Sequence, residues 1–254
     1  MIRGLYTAAT GMTVQELQQN RVANNLANAS TTGFKRENYT LRTFQEVLLD
    51  RAQRSPDGIK SRAKIGSINY GAMVDSREID FSDGMLQETG QKLDLALMGK
   101  AMFTLDTPEG LRFTKDGSFN IDGDGYLVSK DGNYVLGYQG LINVAGLEFS
   151  FTQEGELVTE DGWEVDRLLL ADFNNWQRLE KAGDSMFYAP DDLEIQPATS
   201  FQLKPGFLEK PNINLINEVV DLITITRIYE ANQKAIQAQD EILGKSVNEL
   251  GVVR

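Results

Sequence analysis

The residues best suited to chemistry lie in Asn120-Ile121-Asp122-Gly123-Asp124-Gly125, followed by Asp131. Side-chain oxygens fall at positions 1, 3, 5 and 12 of a loop with glycine at position 6, the pattern by which an EF-hand holds calcium. Against that reading, the twelfth position is Asp rather than a bidentate Glu, and the flanks look like strands, not helices. Residues 120–131 are therefore a weak calcium loop, with tight hairpin turns as the other reading. The 37 carboxylates also give close acids, such as Asp191-Asp192 or Asp80 and Asp83. A hydrolase needs two of them facing one cleft, and no pair is singled out. Gly99, Gly110 and Gly117 are not followed at phosphate-loop spacing by Gly-Lys-Ser/Thr, so they form no phosphate loop. Histidine and cysteine are both missing, which removes Ser-His-Asp and Cys-His catalysis, thiolate metal sites and disulfides. No enzyme activity and no cofactor are expected.

What remains is the architecture that would carry such groups. Six Asp-Gly pairs, at 83–84, 116–117, 122–123, 124–125, 131–132 and 161–162, sit among β-branched and aromatic residues and predict hairpins. Two belong to an internal repeat, GxLV[ST]xDGxxV, which begins at Gly125 and again at Gly155, thirty residues on. Each copy reads as strand, tight turn, strand, and the β character continues through residues 165–207. Residues 3–28 read as a helix ending in Asn28-Ala29-Ser30-Thr31-Thr32-Gly33-Phe34. Leu41, Phe44, Val47 and Leu48 have helical spacing and predict a short helix over 40–54, and residues 55–72 read as an irregular basic connector. After Pro211, Asn212 or Asn214 is a plausible cap for the final helix.

That helix carries an apolar residue at every seventh position: Leu215, Leu222, Tyr229, Ile236, Leu243 and Leu250. The companion row is Val219, Thr226, Gln233, Asp240 and Val247. The N-terminal helix has a shorter relative of this pattern, with Leu5, Met12 and Leu26 in one row and Ala9 and Ala23 in the other. Asn24, Asn25 and Asn28 add amides, which fix register in a seam at some cost in stability. Leu5, Ala9, Met12, Ala23, Asn24, Asn25, Leu26, Asn28, Leu215, Val219, Leu222, Tyr229, Ile236, Leu243 and Leu250 are thus the candidate assembly interface. The fold class is α+β: N- and C-terminal helices forming a coiled-coil layer, with an inserted, mostly antiparallel β domain. The expected division is 1–35 and 212–254 as the helical assembly domain, 36–75 as connector and 76–211 as the β domain.

Charge follows the same division. The chain carries −12 overall, and residues 73–211, with eleven bases against twenty-six acids, carry −15. The ends are close to neutral and so able to crowd together, while the acidic middle prefers water. Nucleic acid is not an expected partner. No run approaches eighteen apolar residues, so no membrane insertion is expected, and polar residues in the first turns break any cleaved secretory signal.

The segments Leu5-Tyr6-Thr7-Ala8-Ala9-Thr10-Gly11-Met12 and Val22-Ala23-Asn24-Asn25-Leu26-Ala27-Asn28-Ala29-Ser30-Thr31-Thr32-Gly33-Phe34-Lys35 resemble the N-terminal signature of bacterial flagellar rod and hook proteins. Gly84-Met85-Leu86-Gln87-Glu88-Thr89-Gly90, Leu93-Asp94-Leu95-Ala96-Leu97 and Phe113-Thr114-Lys115-Asp116-Gly117-Ser118-Phe119 are similar to the family's β region. Leu208-Glu209-Lys210-Pro211-Asn212-Ile213-Asn214 and Arg227-Ile228-Tyr229-Glu230-Ala231-Asn232-Gln233-Lys234-Ala235 resemble its closing helix. The sequence departs from the family at Ala101-Met102-Phe103, where two adjacent phenylalanines are common, and at Pro211. The resemblance implies a non-enzymatic axial subunit of the basal-body rod, proximal or distal, whose terminal helices form an inner coiled-coil layer. It further implies partners among copies of itself, other rod and hook proteins and the flagellar type III export apparatus, with export to the flagellum without a cleaved signal. A hook or hook-junction subunit is the alternative within the family. A soluble coiled-coil module that binds a ligand or glycan is the alternative outside it.

Overall fold

The computed structural model describes residues 2–54, 60–183 and 185–250. Residues 55–59 of the expected connector lie outside them. An N-terminal helix, an antiparallel β region and a C-terminal helix follow one another along the chain. The chain forms two compact units: Met1–Leu26, Glu37–Glu78 and Leu215–Arg254 make the first, and Ala27–Arg36 with Ile79–Asn214 make the second.

The first unit contains helices α1 (Ile2–Ala27) and α2 (Leu215–Leu250). Asn214 stands immediately before α2, in the position that favours a capping side chain. The short helix expected over 40–54 is not formed. Strands β1 (Glu37–Thr43) and β2 (Val47–Arg54) occupy that stretch, and β3 (Lys60–Ile68) and β4 (Ala72–Ile79) replace the irregular connector. β2 and β3 form a long antiparallel hairpin, and β1 pairs with β4. The helical spacing of Leu41, Val47 and Leu48 never became a buried face, since all three are exposed. Cross-strand ladders outweighed that pattern.

The second unit is built on the strand Met102–Thr107, which pairs along its length with Gly110–Thr114 and partly with Tyr134–Gly137 and Leu170–Phe173. It lies within a ten-stranded antiparallel sheet and is buried on both faces. Phe103 and Leu105 pack with Phe119, Leu127, Val135, Leu157 and Leu203 on one side. Met102 packs with Phe113, Phe173 and Phe187 on the other. The rings of Phe103 and Phe119 meet edge to face at 5.0 Å, and those of Phe113 and Phe173 at 4.9 Å.

The thirty-residue repeat is equally visible in the hydrogen bonds. Gly132 N–H donates to Ser129 O and Gly162 N–H to Thr159 O, both at 2.9 Å. The hydroxyls of Ser129 and Thr159 accept the N–H groups of Asn133 and Trp163 in turn. One turn earlier, Gly125 N–H donates to Asp122 O and Gly155 N–H to Thr152 O, both at 3.2 Å. Not every Asp-Gly pair is a hairpin, however. Gly84 and Gly117 lie where a Cβ would overlap the carbonyls of Lys210 and Leu95, so these two serve close backbone approach.

Two glycines of the repeat give a direct test. Gly162 has φ +82° with open space around its missing side chain, whereas a Cβ on Gly125, φ +88°, would overlap Ala145. Gly162→Ala should cost about 1–2 kcal/mol through the left-handed backbone alone. Gly125→Ala should cost about 1–3 kcal/mol beyond that through overpacking. Denaturant titration of both variants checks this, and equal losses would refute it.

Candidate assembly site

In the first unit α1 and α2 run antiparallel, in contact at heptad intervals. A Cβ on Gly4 would overlap the amide of Gln239, and one on Gly11 would come 3.0 Å from the Asn232 amide. Fourteen residues further along α1, Asn25 is completely buried. Its Nδ2 donates to Glu37 O at 3.1 Å and to Glu218 Oε2 at 3.4 Å, and its Oδ1 accepts from Glu37 N–H at 3.1 Å. Each step of seven along one helix is matched by seven back along the other. Glycines face long amides at one end of the seam, and an amide faces a carboxylate at the other.

The buried and half-buried positions of α2 are Glu218, Asp221, Leu222, Ile225, Thr226, Tyr229, Asn232, Ile236, Gln239, Leu243 and Ser246. One expected row, Leu222, Tyr229, Ile236 and Leu243, therefore lies in the seam. The companion row is displaced by one residue from the expected one, to Glu218, Ile225, Asn232, Gln239 and Ser246. Leu215 and Val219 are exposed, and the side chain of Leu250 lies outside the described residues. On α1, Leu5, Ala9, Met12 and Leu26 are half-buried, as is Asn28 just after it, Ala23 and Asn24 are exposed, and Asn25 is satisfied inside the chain. The buried Ala8 and Val22 and the facing Gly4 and Gly11 were missed. Their signal was present: Gly4 and Gly11 are seven apart, as are Asn232 and Gln239.

A second apolar stripe follows from that offset. Ile216, Val219, Val220 and Ile223 repeat at helical spacing on the exposed side of α2, with Ile216 75% and Val220 55% accessible. Burial of such side chains is worth about 1.5–3 kcal/mol each, so the stripe is a store of unused association energy.

In the second unit, the stretch after α1 and the stretch before α2 are fastened side by side. Lys35 Nζ lies 2.8 Å from Glu209 Oε1, with the side chains 1% and 2% exposed. The ammonium also donates to Ser82 O at 2.8 Å, and Glu209 Oε1 accepts Gly84 N–H at 2.6 Å. Glu209 Oε2 is buried with no hydrogen-bond partner among the described residues. Gly33 N–H donates to Glu209 O, while φ +65° and the close backbone of Lys115 and Asp116 leave no room for a Cβ. Thr32 donates to Asp116 Oδ1 at 2.7 Å. Asn212, one of the two expected caps, has a different task. Its Oδ1 accepts Arg36 N–H, and its Nδ2 donates to Asp80 O at 2.7 Å.

Lys115 sits beside this pair, its side chain fully buried, donating to Leu97 O at 3.0 Å and Gly99 O at 2.8 Å. Burial lowers its pKa to about 8; nearby Glu209 and Asp83 oppose that shift, while Lys35 adds to it.

Among the described residues no group of three or more acidic side chains is placed to hold a metal ion. In the weak calcium loop, Asp122 Oδ1 accepts the N–H groups of Asp124 and Tyr126. That is turn geometry. Of the acid pairs, Asp192 is held at 2.6 Å by Arg178, which keeps its carboxyl below the usual range.

Comparison with known proteins bears on the same segments. Residues 5–35 match the family profile described as flagella basal body rod protein. Residues 96–147 match the flagellar hook protein FlgE/F/G D1 domain, and residues 204–250 the flagellar basal body rod FlgEFG protein C-terminal domain. The chain is 31% identical to the flagellar basal-body rod protein FlgG of Bacillus subtilis, covering 98% of this chain and 99% of that one. It is 30% identical to the flagellar basal-body rod protein FlgF of Caulobacter vibrioides over the whole of both chains. It is also 28% identical to the flagellar hook-basal body complex protein FlhO of Bacillus subtilis over the whole of both.

Two measurements test the buried charges. Glu209→Gln leaves the Lys35 ammonium buried without its counter-charge and should cost about 3–5 kcal/mol, read as a lower denaturation midpoint. A loss under 1 kcal/mol would show the pair to be dispensable. For Lys115 the folded pKa lies below its ordinary value of 10.5, so the unfolded chain binds more protons between about pH 8 and 10.5. This residue's penalty is full below pH 8 and fades as pH rises through that window, by an amount on the order of 3 kcal/mol. The stability difference between wild type and Lys115→Met should therefore shift in favour of wild type from pH 8 to 10.5. A flat difference would contradict the assignment.

Proposed function

This chain belongs to the family of flagellar basal-body rod proteins and is a structural rod subunit, not an enzyme, and from that premise we propose that it polymerises through α1 and α2 with copies of itself and with other rod and hook proteins. The observation that carries the mechanism is the exposed stripe Ile216, Val219, Val220 and Ile223 on a helix whose opposite side is already engaged. One side of α2 closes the pair with α1, and the other side is apolar and open. Packing many such pairs together gives the inner coiled-coil layer, with residues 1–35 and 212–254 as its assembly domain and residues 76–211 as the outer β domain. Of the expected interface residues, the exposed Ala23, Asn24, Leu215 and Val219 are the proposed contact positions around that stripe.

Torque transmission follows from close packing, because interdigitated side chains resist shear between neighbouring helices. The charge of −15 over residues 73–211 keeps free subunits apart until their near-neutral helices meet a growing tip. Export proceeds through the flagellar type III apparatus, and the subunit resides in the basal body. No described helix is long and apolar enough to cross a membrane.

The double variant Ile216→Asp, Val220→Asp separates assembly from folding. Both side chains are exposed, so the purified monomer should melt within a few degrees of wild type. Basal bodies isolated from cells carrying the variant should lack the chain, and motility should be lost. With a tag placed within residues 140–160, electron microscopy of wild-type basal bodies should show label along the axial rod. Normal incorporation of the variant, or label absent from the rod, would overturn the proposal.

A further inference from the structure

A cleft of about 490 Å³ opens on the second unit, and its wall is aromatic. Trp176 is locked there: its ring meets Phe81 at 5.0 Å and Phe173 at 5.5 Å, both edge to face, and its Nε1 donates to Asp172 at 2.9 Å. Three amides line the same cleft, each anchored at one end. Asn174 Nδ2 donates to Glu194, Asn175 Oδ1 accepts Gln177 N–H, and Gln177 Nε2 donates to Ile79 O. That leaves a carbonyl of Asn174, an NH₂ of Asn175 and a carbonyl of Gln177 for a ligand. Asp83 and Lys100 complete the rim. The Asp83 carboxylate is steadied by Gly99 N–H at 3.2 Å and by the Lys115 ammonium at 3.7 Å.

This combination selects a chemistry. A carboxylate ligand meets Asp83, and a cation meets Lys100, so net charge is not favoured. A purely apolar ligand would cover three half-used amides without pairing them. Groups that both donate and accept, beside a small apolar surface, satisfy every element of the lining. We propose that this cleft binds an N-acetylated oligosaccharide, with the acetamido methyl against Trp176 and Phe81 and its amide and hydroxyls paired to Asn174, Asn175, Gln177 and Asp83. The site does not depend on the polymerisation reading and stands or falls separately from it.

The chain has two tryptophans, so Trp163→Phe makes Trp176 the sole indole reporter. Titrating that full-length variant with chitotetraose should change its emission saturably, while cellotetraose, which lacks acetamido groups, should bind at least tenfold more weakly. No saturable change with chitotetraose, or equal affinity for both sugars, overturns the proposal. Asn174→Ala with Lys100→Ala removes two exposed side chains and should weaken chitotetraose at least tenfold with an unchanged melting curve. Unaltered affinity places binding elsewhere and overturns the site. Nuclear magnetic resonance on the wild-type chain provides a readout free of any folding defect. The side-chain amide signals of Asn175 and Gln177 should shift on adding chitotetraose, and shifts confined to other residues would refute the assignment.

Discussion

The buried ion pair between Lys35 and Glu209 is the constraint on which much of the second unit depends. Two charges removed from water are stable only when each finds its counter-charge and further hydrogen bonds. Here the partners are 174 residues apart in sequence, and each also binds backbone from the segment 82–84. Three distant stretches of chain are thereby held at one point. Around that point, Gly33 admits close backbone contact, Asn212 bridges Arg36 to Asp80, and Thr32 holds Asp116. Lys115 adds a second buried ammonium whose carbonyl partners belong to the strand Leu95–Gly99. The result is a polar knot beside a β core that is otherwise apolar. Polar knots of this kind tolerate little rearrangement, because every lost partner leaves a desolvated group behind.

The helical unit distributes its roles between two sides of α2. The side toward α1 is not a leucine seam throughout: glycines lie opposite Asn232 and Gln239, and Asn25 lies opposite Glu218. Such pairs contribute little apolar area but set register sharply, since a shift by one residue would place a side chain where only glycine fits. The outward side carries apolar residues of its own, Ile216, Val220 and Ile223. The residues that set register within the chain are in this way distinct from those of the outward stripe. A subunit that closes its own helix pair without exhausting its apolar surface is suited to a family that builds axial structures.

Much of this was legible in the residues. The two terminal helices follow from long periodic segments with clear stops, at Asn28 to Gly33 and at Pro211 to Asn214. The repeated hairpins follow from Asp131-Gly132 and Asp161-Gly162 within one motif. The motif Thr31-Thr32-Gly33-Phe34-Lys35 pointed to the family, but nothing in it says that Lys35 finds Glu209. Residues 40–54 misled because four apolar residues at helical spacing stood in a segment that had strand partners elsewhere. The companion heptad row was off by one because Glu218, Asn232 and Gln239 are polar, and a search for apolar side chains passes over them.

The sequence by itself determined the element types at both ends, the hairpin turns, the acidic middle and the absence of histidine or cysteine chemistry. These are local properties, set by backbone propensity, periodicity and composition within a few residues of one another. Only the tertiary structure decided which polar residues are buried together, which side of α2 is already occupied, and which amides converge with Trp176 in one cleft. Those outcomes depend on contacts between residues tens to hundreds of positions apart, where burial strengthens a paired charge and penalises an unpaired one.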